Sequence, residues 1–205
     1  WVKAQNDLVP QNDSSYYWNV KPKNGGVIYC SPQSLTAATI DITRVQIGNL
    51  DNKSYPSGVK STNFTQSVPA AKLFRGIYDS LYVTADKPST MSGTDRVGGW
   101  VRAFIDWNRD GVFDTTSELV LSDTIISGQT ARTKVNVPLE ALNGHSRMRI
   151  ILWQSKNREA FDACTNPSGG EVEDYLVFVS NPAEYDAELM KFISPNELLT
   201  TAQAL

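Results

Sequence analysis

Apolar and polar positions alternate along most of this chain in short runs, a period of two that marks extended backbone. The segments that read as strands are rich in β-branched residues and bounded by turn formers. They are Val27 to Tyr29, Ile40 to Ile47, Leu73 to Ala85, Trp100 to Trp107, Leu119 to Leu121, Arg132 to Val137, Arg147 to Trp153 and Val172 to Val179. In Trp100 to Trp107, Val101, Ala103, Ile105 and Trp107 share one face, which therefore turns to a core. Between the segments, Lys53 to Lys60, Pro88 to Gly99 and Asn157 to Gly170 are rich in Gly, Pro, Ser, Asn and Thr and suit surface connections. No convincing amphipathic helix precedes residue 182. This spacing predicts an all-β fold: an antiparallel β-sandwich, jelly-roll or immunoglobulin-like, with a short C-terminal extension.

The two ends depart from that pattern. Residues 1–28 are polar and aromatic, with Gln5-Asn6-Asp7 and Tyr16-Tyr17-Trp18, and read as an arm packing on a domain of residues 29–181. Pro182 breaks the last strand, and residues 182–205 read as a linker, a helix or the start of a following domain. The overall length of 205 residues and 40% hydrophobic content fit one large globular domain. A net charge of −3 with no Lys/Arg block argues against nucleic acid as a partner. Apolar runs such as Ile150 to Trp153 are far shorter than the roughly 18 residues that span a bilayer, so no membrane insertion is expected.

Little of the chain suits familiar catalysis. His145, the only histidine, sits in Asn143-Gly144-His145-Ser146, a turn-like sequence with no evident nucleophile or orienting partner. Cys30 and Cys164 lack CxxC spacing and a neighbouring His, which leaves a disulfide, the preferred reading, or two free thiols. A disulfide would imply an oxidising compartment.

The most informative segment runs from Asp106 to Asp114 and on to Glu118. With Asp106 at the first position of a calcium loop, Asn108 falls third, Asp110 fifth, Gly111 sixth, the Val112 carbonyl seventh and Asp114 ninth. Hard cations take six to eight oxygens, and short Asp and Asn arms on a tightly turning backbone converge them. The pattern fails at the twelfth position, which is Ser117, with Glu118 one residue later. A preceding strand also differs from an EF-hand. The alternative is a turn whose Asx side chains bond their own backbone. A second acidic cluster, Gly170-Glu171-Val172-Glu173-Asp174-Tyr175, puts Glu171 and Glu173 on one strand face and Asp174 on the other. Two like charges so placed need neutralising, by the cation of the Asp106 loop or by Arg147 and Arg149. A glycosidase-type carboxylate pair is a remote third option.

Taken in order, Tyr29-Cys30, Val45-x-Ile47-Gly48-Asn49, Phe104-Ile105-Asp106-Trp107-Asn108-x-Asp110-Gly111-x-Phe113, Val137-Pro138, Arg147-Met148-Arg149, Cys164 and Gly170 to Tyr175 resemble the GEVED domain. The resemblance implies a non-catalytic accessory module of secreted or surface-displayed bacterial multidomain proteins. Around a cation it implies Asp106, Asn108, Asp110 and Glu118, with Glu171 or Glu173. The expectation is a calcium-stabilised extracellular module, monomeric within its parent chain, serving adhesion, ligand binding or presentation. Its partner is then a host or cell-surface protein or a glycan. The rival functions are a carbohydrate-binding module, stacking sugars on Trp1, Tyr16, Tyr17, Trp18, Trp100 or Trp153, a structural spacer, and more remotely a metal-assisted hydrolase.

Overall fold

The computed structural model describes residues 27–37, 39–87, 98–154 and 161–182. Residues 1–26 of the expected arm and residues 183–205 of the expected extension lie outside the described residues. The described elements are strands: β1 (Asp41–Ile47), β2 (Leu50–Lys53), β3 (Ser61–Asn63), β4 (Ala71–Phe74), β5 (Tyr78–Asp86), β6 (Gly98–Ile105), β7 (Leu119–Ile126), β8 (Gln129–Asn136), β9 (Gly144–Trp153) and β10 (Gly170–Ser180). They form a sandwich. One sheet has the order β2-β1-β5-β8, the other β3-β10-β9-β6-β7, with β4 also paired to β10.

Most pairings are antiparallel, as expected, but β3 and β4 both run parallel to β10, end to end along one of its edges. Leu73 to Ala85, expected as one strand, divides at Arg75-Gly76-Ile77 into β4 in one sheet and β5 in the other. A positive φ of 72° at Gly76 turns the chain there, a conformation open to glycine without steric penalty. Val27 to Tyr29 is not a strand, because it lies over the outer face of a sheet instead of at an edge. His145 is not a turn residue: it is the second residue of β9, and its ring meets Phe178 edge-on at 5.0 Å.

The period of two explains the core. Val101, Ala103, Ile105 and Trp107 all turn into the main cluster between the sheets, with Val45, Ile47, Leu81, Val83, Met148, Ile150, Val177 and Val179. The opposite face of β6, β9 and β10 is covered as well. Phe104 packs with Phe113 and Ala163, and Ile151 packs with Phe161 and Val172. The cover comes from residues 27–37 and 161–169, which hydrogen-bond to each other through Leu35 N to Pro167 O and Gln33 N to Asn166 Oδ1. Asp106 and the Glu171–Glu173 pair therefore end on opposite sides of one sheet, each buried.

Candidate functional site

The acidic loop begins where β6 ends. Ile105 N donates to Glu118 O at 2.9 Å and Asp106 N to Arg147 O at 3.1 Å, so the loop's base is closed by backbone and its first residue is pinned beside β9. Asp106 is fully buried. Its Oδ2 accepts from Tyr29 Oη at 2.7 Å and Gly111 N at 3.1 Å, while its Oδ1 has no partner. Gly111 has φ +87°, and a Cβ there would stand 2.6 Å from Ile28 O, so conformation and space both demand glycine.

Asn108 Oδ1 accepts from Asp110 N, Asp110 Oδ1 from Val112 N, and Asp114 Oδ1 from Thr116 N and Ser117 N. These are the Asx bonds of a self-stabilised turn. Glu118 reaches back across the loop, accepting from Trp107 N and Asn108 N on one oxygen and Asp114 N on the other. Burial nevertheless pushes its carboxyl up to about 7, and burial likewise raises Asp106. Asp114, exposed and held by the Ser117 and Thr116 amides, is lowered.

Above the loop lies a clamp. Cys30 and Cys164 are disulfide-bonded, and among the described residues no cysteine is free. Phe113 packs against Tyr29 at 5.4 Å and Phe104 at 6.1 Å. The Arg147 guanidinium lies 4.3 Å from the centre of the Tyr29 ring. Burial raises the Tyr29 hydroxyl, which stays protonated and donates to Asp106. Arg149, 1% exposed, forks onto Asp174 through Nε and Nη2 at 2.6 and 2.8 Å. Its remaining hydrogens go to Ala163 O at 2.9 Å, Cys30 O at 2.7 Å and Cys30 Sγ at 3.0 Å.

Here one expectation is corrected. Arg147 and Arg149 neutralise Asp174, on the outer face, and not Glu171 or Glu173. Alternation along β10 turns those two inward with Tyr175, toward β1 of the other sheet. Nor are they brought to the Asp106 loop, so one ion shared by all the expected ligands is ruled out by the pleat. Glu171 instead reaches Ile42 N, next to Asp41, a residue that sequence reasoning missed. Its signal was an acid between Ile40 and Ile42 in an otherwise apolar run.

Glu171 Oε2 accepts from Ile42 N at 2.9 Å, Asp41 Oδ2 from Gly58 N at 2.7 Å, and Glu173 Oε2 from Tyr175 Oη at 2.9 Å. Asn52 Nδ2 in turn donates to Tyr175 Oη at 2.9 Å. Asp41 Oδ1 and Glu173 Oε1 are buried without a partner. Burial is the main cause that carries Glu171 up to about 8 and also raises Glu173 well above the usual carboxylate range, with the neighbouring carboxylates adding to it. Among the described residues no three His, Cys, Asp or Glu side chains are already gathered around a common metal position.

Fold and site together define a disulfide-clamped β-sandwich with an acidic loop on one face of its larger sheet and an acidic pocket beneath the other. Residues 100–178 match the family model of the GEVED domain. The match takes in the Asp106 loop and the Gly170 to Tyr175 strand, while Cys30 and Asp41 lie before it. No curated protein matches the chain. Among solved structures it is similar to Spo0M, a sporulation control protein from Bacillus subtilis, at 12% identity and TM-score 0.31, covering 72% of this chain and 51% of that one. It is also similar to a family 123 glycoside hydrolase from Clostridium perfringens, at 11% identity and TM-score 0.34, covering 71% and 28%. The chain spans about half the length of the first. Likenesses this distant carry no functional argument.

Proposed function

We propose that the chain is a non-catalytic extracellular module, stabilised by calcium in its Asp106 loop, that serves ligand binding, adhesion or presentation within a larger secreted or surface protein. The observation that carries the calcium reading is the Asp106 carboxylate. One oxygen is committed to Gly111 N and Tyr29 Oη, and the other is buried and unpaired. A buried carboxylate oxygen without a donor is costly, and a hard cation removes that cost. Asp106, Asn108, Asp110 and the Val112 carbonyl are the groups that would hold it. Asp114 and Glu118 shape the loop by binding its amides. Calcium, when bound, supplies positive charge and cross-linking there.

The disulfide supports an oxidising, extracellular location. Burial of Glu171 and Glu173 between the sheets, at 4% and 0% exposure, supports the non-catalytic reading, since a glycosidic bond cannot reach them. For the chelator-treated chain, the melting temperature is expected to rise with millimolar calcium and not with magnesium. Binding to the native state alone is worth about 2.7 kcal/mol at a hundredfold excess over Kd. Asp110→Asn should remove most of the loop's share of that rise, and an unchanged rise in this variant would sink the loop reading.

A second reading, glycan binding, has its own observation. Trp100 and Trp153, expected among the stacking residues, pack instead around Phe161, and Trp1 and Tyr16 to Trp18 lie outside the described residues. On the outer face of the four-stranded sheet, however, Ser80, Tyr82, Arg132, Thr133 and Lys134 line a groove of about 310 Å³. An exposed tyrosine opposite Arg132, in a groove that Lys134 also lines, suits an acidic sugar. Retention of the chain on a uronate-rich polysaccharide, lost in Tyr82→Ala, is the expected result if this face binds; equal retention of both proteins would end the reading.

A further inference from the structure

We propose that Asp41, Glu171 and Glu173 form a second cation site, set between the two sheets and taking a divalent hard cation of the calcium type. The three carboxylates come from facing strands, β1 of the four-stranded sheet and β10 of the six-stranded one, and are 1%, 4% and 0% exposed. The ion pairs formed among the described residues include none of them. Such a group in an apolar core is stable only when its charge is neutralised.

The hydrogen bonds say what does the neutralising. Ile42 N, Gly58 N and the Tyr175 hydroxyl each donate to one of the acids, and Asn52 donates to Tyr175 from behind, so the chain of donors points inward at Glu173. Donors aimed at carboxylates are the complement of ionised acids, which accept only. Protonated acids would need acceptors for their own hydrogens, yet Asp41 Oδ1 and Glu173 Oε1 are both buried with no partner of any kind. The missing charge is therefore a cation facing those two oxygens. Three carboxylates, each able to bind through one oxygen or two, meet much of the six-to-eight-oxygen demand of calcium, whereas magnesium would need a stricter octahedron.

This site is independent of the Asp106 loop. It shares no residue with it and lies on the other face of the sheet. It also gives the Glu-Val-Glu-Asp run a division of labour: Glu171 and Glu173 cross-link the sheets through the ion while Asp174 receives Arg149 outside.

The test uses the full chain, stripped with chelator, with calcium counted by isothermal titration and by elemental analysis after dialysis, and magnesium as the control ion. Two calcium ions per chain are expected, with Asp110→Asn losing one and Asp41→Asn or Glu173→Gln losing the other. In the last two variants affinity at the inner site should fall by at least about tenfold. Asp41→Asn keeps an acceptor for Gly58 N and carries the test if Glu173→Gln does not fold. One ion per chain, kept in Asp110→Asn and lost in Asp41→Asn, would support the inner site while overturning the loop. Unchanged stoichiometry and affinity in both inner variants would overturn the inner site and leave the loop reading untouched. So would variants that melt higher than the parent with and without calcium, which would mean that protons neutralise the pocket.

Discussion

Arg149→Ala is expected to lose about 3–5 kcal/mol of stability, a large share of the 5–15 kcal/mol that holds a typical domain together. The reason lies in what is left behind. Asp174, only 8% exposed, would keep the single Arg147 contact at 3.2 Å, and Cys30 O and Ala163 O would each lose a charged donor. Arg149→Lys should recover little, because an ammonium cannot make the two-pronged contact with Asp174 and also reach two carbonyls. The combination Arg149→Met with Asp174→Leu should lie nearer the parent than Arg149→Ala does, since replacing a buried ion pair by apolar groups avoids an uncompensated charge. Urea unfolding of the four proteins gives the comparison directly. A loss within about 0.5 kcal/mol for Arg149→Ala would mean that the clamp contributes only ordinary surface energetics.

The same arginine marks the boundary of what the sequence makes legible. Strict alternation placed Val101, Ala103, Ile105 and Trp107 in the core, and it also separated Glu171 and Glu173 from Asp174. Alternation says nothing about which partner a face will meet. Arginines and glutamates close in sequence order look like natural pairs, but the pleat sends Arg149 outward with Asp174 and the glutamates inward toward Asp41. Local turn chemistry was legible from Asp106 to Gly111, because short Asx arms bond residues two positions away. Tyr29 closing on Asp106 was not legible, being a contact over 77 residues made by a segment with no regular structure. The strands β2 and β3 escaped notice because Leu50–Lys53 and Ser61–Asn63 are short, polar edge segments, held by the register of their neighbours more than by their own pattern.

Replacing both cysteines by serine is expected to produce the largest single loss, roughly 5 kcal/mol on the chain-entropy estimate for a bridge spanning 134 residues. Little else covalently limits the unfolded chain, so nearly the whole described domain gains freedom when the bond is cut. The native state suffers locally too. Residues 27–30 belong to no strand and are held on the outer sheet face by this bond, by Arg149 Nη2 on Cys30 O, and by Tyr29 between Phe113 and Asp106. Because the bond and Arg149 hold the same segment, their losses should not add: Arg149→Ala made in the cysteine-free chain should cost clearly less than in the parent. Denaturant unfolding of the double-serine variant, set beside the parent with and without reductant, reads both effects. Reduction should reproduce the serine variant. If calcium lies in the loop, the serine variant should also bind it more weakly, since Tyr29 is what fixes the buried carboxylate of Asp106 from above. Equal unfolding midpoints for the oxidised parent and the serine variant would show that the outer clamp is held by Arg149 and aromatic packing, with the disulfide adding nothing.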